Sequence, residues 1–395
     1  MWSIYGKKHD LSAFAHSHPG GAEIIEKTKD LPDCTALFES YHAFSNIDKL
    51  KQTLAKYEIP GTAEPYSVDF STYRELVQRI MTTTNFKDRA SIKAPPQWYV
   101  WSGLLGIAYF YFLWRAFSTE YSFIKMVFTL LSSATESSII FNVLHDASHY
   151  AISTNPLINN AISRALNSWN GWNHLLWFYH HVYYHHTYTG TNLDPDQKLY
   201  GVSSSNHALI THGLFPGQNL GQGLFYIYSA LTNRLEVAKK TPILLPTQTT
   251  PYYEWPEILI MTSKLYLLYK LGLFSSILYV ATGNILYFVN VMGDHDLHET
   301  YENRYDGNNW ALRQIRNSGN FANDNIMWTL WFGGINHQIE HHLFPNMSNF
   351  HYCYVSPIVK AFCLENRIPY VALNNLEEVF KSFSKKVNVH KCHSD

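Results

Sequence analysis

Apolar residues are spread unevenly along this chain, and the unevenness predicts its layout. Residues 1 to about 60 are polar with two amphipathic stretches and stop at the turn Ile59-Pro60-Gly61, the pattern of a small soluble unit. A linker bearing Lys87, Arg89 and Lys93 then leads to Pro95-Pro96, which stops any helix before the first long apolar run. Trp98 to Phe117 carries no charge before Arg115 and opens on tryptophan, as an interface-anchored transmembrane helix does. Phe123 to Val143 is a second run of spanning length after a short turn. The two predict a hairpin that returns the chain to the cytosolic side, with Glu136 a charge inside it that needs explaining. A polar stretch rich in tryptophan and tyrosine follows as far as Trp255, too polar to span and suited to the membrane surface. Ile258 to Phe274 and Ser275 to Val291 make a second apolar pair, whose Lys264 and Lys270 must snorkel or hold the first member at the interface.

Composition sharpens that outline. Aromatic residues make up 16% and charged residues 15% of the 395 positions. Soluble chains carry about a quarter charged residues, so the balance leans toward a membrane. Thirty basic against 31 acidic side chains leave no electrostatic footprint for nucleic acid. Cys34, Cys353, Cys363 and Cys392 form no CxxC pair, which argues against a disulfide framework or a zinc ribbon and for a reducing compartment. The start is polar rather than apolar, so both termini are expected in the cytosol. Twenty-one histidines direct attention to metal chemistry.

Two of them stand in a haem-like pattern. His18-Pro19-Gly20-Gly21 is followed 24 residues later by His42 in Phe38-Glu39-Ser40-Tyr41-His42. Two neutral imidazoles can fill both axial positions of a haem iron, closing it to oxygen and making an electron carrier. Through "YGKKHDLSAFAHSHPGGAEII" and "DCTALFESYHAFSN" the stretch resembles the cytochrome b5 family, which implies His18 and His42 as ligands of haem b. Trp2 is almost the first residue, so the unit is expected to be shortened relative to that family.

Three histidine boxes follow. His145-Asp146-Ala147-Ser148-His149 sits where the second span emerges, and histidines at i and i+4 share a helix face. His181-Val182-Tyr183-Tyr184-His185-His186 places two imidazoles on one side and a third nearby, and Gln338-Ile339-Glu340-His341-His342 follows the second apolar pair. Two hairpins thus deliver seven histidines to one membrane face, enough for two metal ions. Nitrogen ligation alone selects no metal, whereas oxidation of a hydrocarbon requires a redox metal and excludes zinc.

Nearly the whole chain resembles the front-end branch of the membrane fatty acid desaturases, through "LHDASHYAIS", "YHHVYYHHTYTGTNLDPD" and "NHQIEHHLFP", with the fused b5-like unit and Gln338 in place of a box histidine as that branch's marks. The resemblance implies His145, His149, His181, His185, His186, His341 and His342 as ligands of two iron ions, with Gln338 a weaker ligand or a hydrogen-bond donor. It also implies a ligand after the last span, read as His298 with His295 the alternative. Asp146, Asp194 and Asp196 are expected to hold ligand imidazoles by hydrogen bonds. His337, His16, His174, His180, His207, His212, His351, His390 and His393 are read as structural or exposed.

The implied fold is mainly α: a four-transmembrane-helix di-iron desaturase with a cytosolic helical cap (98–395, spans 98–117, 123–143, 258–274 and 275–291), a linker (61–97) and a small α+β b5-like domain (1–60). The implied reaction inserts a cis double bond into a polyunsaturated fatty acyl chain, lipid-linked or as acyl-CoA, using O2 and electrons that its b5-like domain takes from an NAD(P)H-dependent cytochrome b5 reductase at the endoplasmic reticulum membrane. "HDASH" looks most like delta-5 members. A sphingoid-base desaturase or a lipid hydroxylase is the alternative within the chemistry. A haem electron carrier with structural metal is the alternative outside it.

Overall fold

The computed structural model describes residues 1–196, 217–235, 242–248, 250–291 and 297–392; His207, His212, His295 and His393 lie outside them. The first unit opens with an antiparallel hairpin, Trp2–Ile4 (β1) on Lys7–His9 (β2), with Trp2 opposite His9. Ala22–Lys27 (α1), Thr35–Tyr41 (α2) and Ile47–Ala55 (α3) follow, the last capped by Asn46, whose side chain accepts from the Lys49 amide. Trp2 is buried and its indole N–H donates to the Ile25 carbonyl at 2.7 Å. Trp2, Ile4, Leu11 and Ile25 belong to one apolar core with Trp172, Leu176, Tyr179 and Val182 from far along the chain. Sixty residues bury little surface alone, and here the burial is completed by the rest of the molecule.

Ser71–Thr83 (α4) packs beneath the third histidine box, where the Tyr73 hydroxyl donates to the Leu343 carbonyl at 2.9 Å. Pro96–Ser118 (α5) has Pro95 at its N-cap, as the double proline predicts. Val100, Leu104, Ile107, Phe110 and Trp114 recur every three or four residues along it and all face outward, an apolar stripe suited to lipid. Ser122–Ile139 (α6) returns antiparallel and continues through a π-turn, Ile140–Leu144, into His145–Ser148 (α7).

Among the described residues three helical runs are long and apolar enough to cross a membrane: Pro96–Ser118, Ser122–Ser148 and Leu273–Asn290. Trp255–Leu271 (α12, after Pro156–Trp169 (α8), His174–Trp177 (α9), His186–Tyr188 (α10) and Gly217–Thr232 (α11)) is shorter and is not among them. Gly272, at φ +91°, separates it from Leu273–Val291 (α13), so the break falls two residues earlier than the apolar pattern suggested. The charge inside the second span finds its partner here. Lys264 of α12 forms an ion pair with Glu136 of α6, and the Tyr279 hydroxyl of α13 also donates to Glu136. Two charges that each look unfavourable in an apolar run neutralise one another across the bundle.

Beyond the spans, His298–Glu302 (α14), Trp310–Asn317 (α15), Ile326–Trp331 (α16), Gln338–Leu343 (α17), Tyr352–Glu365 (α18) and Leu376–Cys392 (α19) form a helical layer around the histidine boxes. Gly333 lets that layer approach closely: a Cβ there would lie 2.3 Å from the Phe141 carbonyl oxygen in the π-turn, and its φ is +59°.

Candidate haem pocket and metal centre

His18 ends a short 3-10 turn and His42 follows α2. Their ring centroids are 6.1 Å apart, room for one ion between two metal–imidazole bonds of about 2.0–2.1 Å. His42 Nδ1 donates to the Phe38 carbonyl at 2.7 Å, and His18 Nδ1 lies 3.3 Å from the Gly21 carbonyl. Each backbone contact assigns the proton to Nδ1 and leaves Nε2 as the free lone pair. Burial lowers both pKa values, that of His42 to about 4, so both rings are neutral donors at pH 7. The glycine after Pro19 makes room for the ring itself, since a Cβ on Gly20 would lie 2.6 Å from His18 Cε1. These rings open on a cavity of about 320 Å³ lined by Ile24, Leu37, Phe38 and Leu54 from the first unit and by Arg89, Lys93, Tyr150 and Asn346 from beyond it. The pocket fits a bis-imidazole haem.

The seven box histidines converge in a second place. His145 opens α7 and His149 caps its end, His181 and His185 come from an eight-residue π-helix, Phe178–His185, His186 from α10, and His341 and His342 from α17. The π-helix explains the second box. Its hydrogen bonds run from i to i+5, so His181 can share a face with both His185 and His186. Neighbouring ring centroids lie 4.4 to 6.0 Å apart, for example His145–His341 at 4.4 Å, His149–His186 at 4.6 Å, His185–His342 at 4.7 Å and His181–His341 at 6.0 Å. Three ligand groups overlap: His145, His149, His181 and His341; His181, His185 and His186; and His185 with Asp194 and Asp196. The His145 and His181 Nε2 atoms face each other at 3.1 Å, a spacing that suits adjacent positions on one ion at about 2.0–2.1 Å from each. Nε2 of His149 and of His341 and both ring nitrogens of His186 are buried without a hydrogen-bond partner among the described residues. Unsatisfied nitrogen lone pairs pointing together fit a metal and are hard to reconcile with a metal-free core. Burial, reinforced by neighbouring imidazoles, holds His149, His186 and His341 well below the ordinary histidine pKa and brings His181 to about 4. All four rings are neutral at pH 7, with a lone pair to offer.

The outer nitrogens are held by side chains from distant elements. His185 Nδ1 meets Asp194 Oδ1 at 3.0 Å, and Asp194 in turn accepts from the Gly190 amide. His342 Nδ1 donates to Gln314 Oε1 at 3.0 Å, His341 Nδ1 pairs with the Tyr352 hydroxyl at 3.2 Å, and His149 Nδ1 pairs with the Tyr41 hydroxyl at 3.0 Å. Trp177 stacks on His181 at 4.4 Å. Asp196 is bonded to His180 at 2.7 Å and lies 3.6 Å from His185 Nδ1. Asp146 departs from expectation: it accepts from the Ser348 hydroxyl and the Asn349 amide, tying the first box to the loop after the third rather than holding an imidazole. Among the described residues no ligand group includes His298, and its Nε2 lies 3.3 Å from Glu302 within α14. His337 has its nitrogens on Asn323 and Thr329, and Gln338 is buried with its Oε1 lacking a partner among the described residues. Tyr41, Gln314 and Tyr352 escaped the sequence reading. Only Tyr41, beside His42, offered any signal.

An apolar cavity of about 270 Å³ lies between α6, α11, α12 and α13, with Phe141, Trp172 and Tyr287 among its lining residues. Phe141 precedes His145 by four residues in the same helical run.

Residues 121–374, well over half of the chain, match the fatty acid desaturase family. The chain belongs to that family. Residues 1–61 match the cytochrome b5-like heme/steroid binding domain. The protein is thus an oxygen-dependent oxidoreductase of the desaturase family, with haem and iron as its cofactors. It is 25% identical over 424 residues to an acyl-lipid (8-3)-desaturase of Mortierella alpina, covering 98% of this chain and 93% of that one. A probable Delta(5) fatty acid desaturase C of Dictyostelium discoideum is 25% identical over 435 residues (97% and 90%). The sn-1 linoleoyl-lipid 6-desaturase of Synechocystis sp. is 29% identical over 279 residues, or 62% of this chain and 75% of its own.

Proposed function

We propose that this desaturase inserts a cis double bond into a polyunsaturated fatty acyl chain between an existing double bond and the carboxyl end, with delta-5 as the preferred position. The observation that carries the reading is the convergence of seven buried imidazoles, with an apolar cavity one helical turn away along the helical run through Phe141 and a bis-imidazole haem pocket in the same chain. The "HDASH" box and the names of the (8-3) and Delta(5) relatives support the position. The organisation is a b5-like domain at 1–60, a linker at 61–97 and a desaturase domain at 98–395. The Glu136–Lys264 pair supports α12 as a fourth crossing; in this reading the boxes, both termini and the helical cap lie on the cytosolic side of the endoplasmic reticulum membrane. A cytochrome b5 reductase using NAD(P)H supplies the electrons. His145, His149, His181, His185, His186, His341 and His342 hold the two irons, and Gln338, buried one turn before His341, assists. His298 is left out of the set because it pairs with Glu302.

Bound iron supplies the activation of O2 and the oxidising power to remove hydrogen from an unactivated methylene. The protein's residues do the rest. Apolar walls from Ile140, Leu224, Met261, Leu265 and Val280 hold the acyl chain and exclude water. Phe141, Trp172 and Tyr287 line the same cavity, and their bulk fixes which carbons of the chain reach the cluster. Asp194, Gln314 and Tyr352 keep the ligand protons on Nδ1 and so aim each Nε2 inward.

Expression of the wild type and His341→Ala in yeast fed di- and tri-unsaturated fatty acids, with mass spectrometry of fatty acids and sphingoid bases, tests the reading. A new front-end double bond in the wild type alone is expected. A new sphingoid double bond or a hydroxylated lipid instead would replace it.

A further inference from the structure

We propose that Tyr41 is the electron-coupling residue between the haem pocket and the histidine cluster. The inference rests on the haem-fed desaturase reading and assigns the step that reading leaves open. Tyr41 is the last residue of α2 and the covalent neighbour of His42, and its side chain lines the haem cavity. Its hydroxyl lies 3.0 Å from His149 Nδ1. The opposite nitrogen of that imidazole is among the buried ones turned inward to the cluster. A route of one peptide unit, one phenol ring and one hydrogen bond thus joins an axial haem ligand to a metal-cluster imidazole, with no gap in it larger than a hydrogen bond.

The surroundings hold this route in place. Asn346 Nδ2 donates to the Tyr41 carbonyl at 2.8 Å, and Lys93 Nζ donates to both the Asn346 and Tyr150 carbonyls at 2.8 Å. Asn346 lies four residues after His342, so the loop that follows the third box grips the haem-binding helix directly. Other hydrogen bonds cross the same interface. Tyr183 donates to the Asp33 carbonyl and Tyr179 to the Lys27 carbonyl. Both end on backbone away from a cluster ring, so they dock the two units without linking the two metal sites. Tyr41 does both.

The electron balance is simple. For each double bond, O2 accepts two electrons and two protons from water together with the two hydrogens of –CH2–CH2–, giving –CH=CH– and two water molecules. Each electron leaves a ferrous haem ferric, so the route is used twice per turnover, with the reductase restoring the haem in between.

The test uses the full-length, haem- and iron-loaded protein. It is reduced anaerobically, freed of reductant and mixed with oxygenated buffer and a polyunsaturated acyl-CoA, and haem reoxidation is followed by absorbance. Tyr41→Phe removes the hydroxyl and keeps the ring. It is expected to slow reoxidation per bound iron roughly 10- to 100-fold, the range seen when a hydrogen bond to a ligand imidazole is lost, while the haem spectrum, midpoint potential and iron content stay at wild-type values. Asn160→Ala removes a docking bond to Glu23 that ends on no cluster imidazole and is expected to reoxidise at the wild-type rate. Wild-type reoxidation in Tyr41→Phe overturns the proposal, as does an equal slowing in Asn160→Ala or a loss explained by lost iron. His341→Ala gives the background of direct haem oxidation by oxygen. If the wild type is no faster than that background, the haem-fed reading itself fails, and the inference with it.

Discussion

The two histidine sites of this protein are built by opposite strategies. In the haem pocket each Nδ1 is held by a carbonyl three or four residues away, Gly21 for His18 and Phe38 for His42. In the metal cluster the outer nitrogens are held by side chains up to 153 positions away in sequence or more closely by a dedicated carboxylate: Tyr41 for His149, Gln314 and Thr189 for His342, Tyr352 for His341, Asp194 for His185. The first site carries its own orientation in a short segment, whereas the second exists only when the whole helical layer is assembled. A local site can survive damage elsewhere, and a distributed one cannot.

The widest separation is expected from removing one ligand of each kind. His341→Ala abolishes desaturation while leaving the haem absorbance bands intact, and His42→Ala removes those bands while leaving the non-haem iron bound. Metal analysis and visible spectra of the two purified variants check this, and loss of both metals in either variant would show that the sites are not separately built. Asp194→Asn keeps the shape but weakens the hold on His185. It is expected to lower iron affinity or activity about 10- to 100-fold with no change in the haem spectrum.

A third contrast lies in the membrane. Glu136→Leu leaves Lys264 buried without its partner and is expected to destabilise the protein by about 3–5 kcal/mol, and adding Lys264→Met should recover most of that loss. Thermal unfolding in detergent measures both, and equal melting of single and double variants would remove the pair from the account. The smallest effect concerns pH in the haem-free protein. His42 has its folded pKa lowered by burial from 6.5 to about 4, so the unfolded chain binds the extra proton first. Stability contributed at neutral pH is therefore full above about 6.5 and declines as pH falls from there to about 4. His42→Phe should flatten that decline in a pH series of unfolding curves.

How much of this was legible in the sequence follows the same division. The pairing of His18 with His42 could be read because HPGG and the following helix are contiguous. The boxes could be read as clusters because i, i+4 spacing is a local signal. That His181, His185 and His186 share a face depends on a π-helix, which no residue preference announces. Asp146 could not be separated from Asp194 by type or spacing, since one holds a loop and the other an imidazole only because of where Ser348 and His185 end up. His298 has the residue type of a ligand, but its own helix supplies Glu302 as a nearer partner. Glu136 and Lys264, each an anomaly in its own apolar run, become intelligible only as a pair 128 positions apart. The shared core of the first unit and the later chain was invisible for the same reason.

The central claim is that one chain holds a haem and, beside it, a histidine-held redox metal centre. Quantifying haem and metals per chain in the purified wild-type protein tests it most directly. The account predicts one haem and about two non-haem irons, with the irons lost in His149→Ala and the haem retained. Zinc in place of iron, or a wild-type protein that carries haem and no second metal, would contradict it.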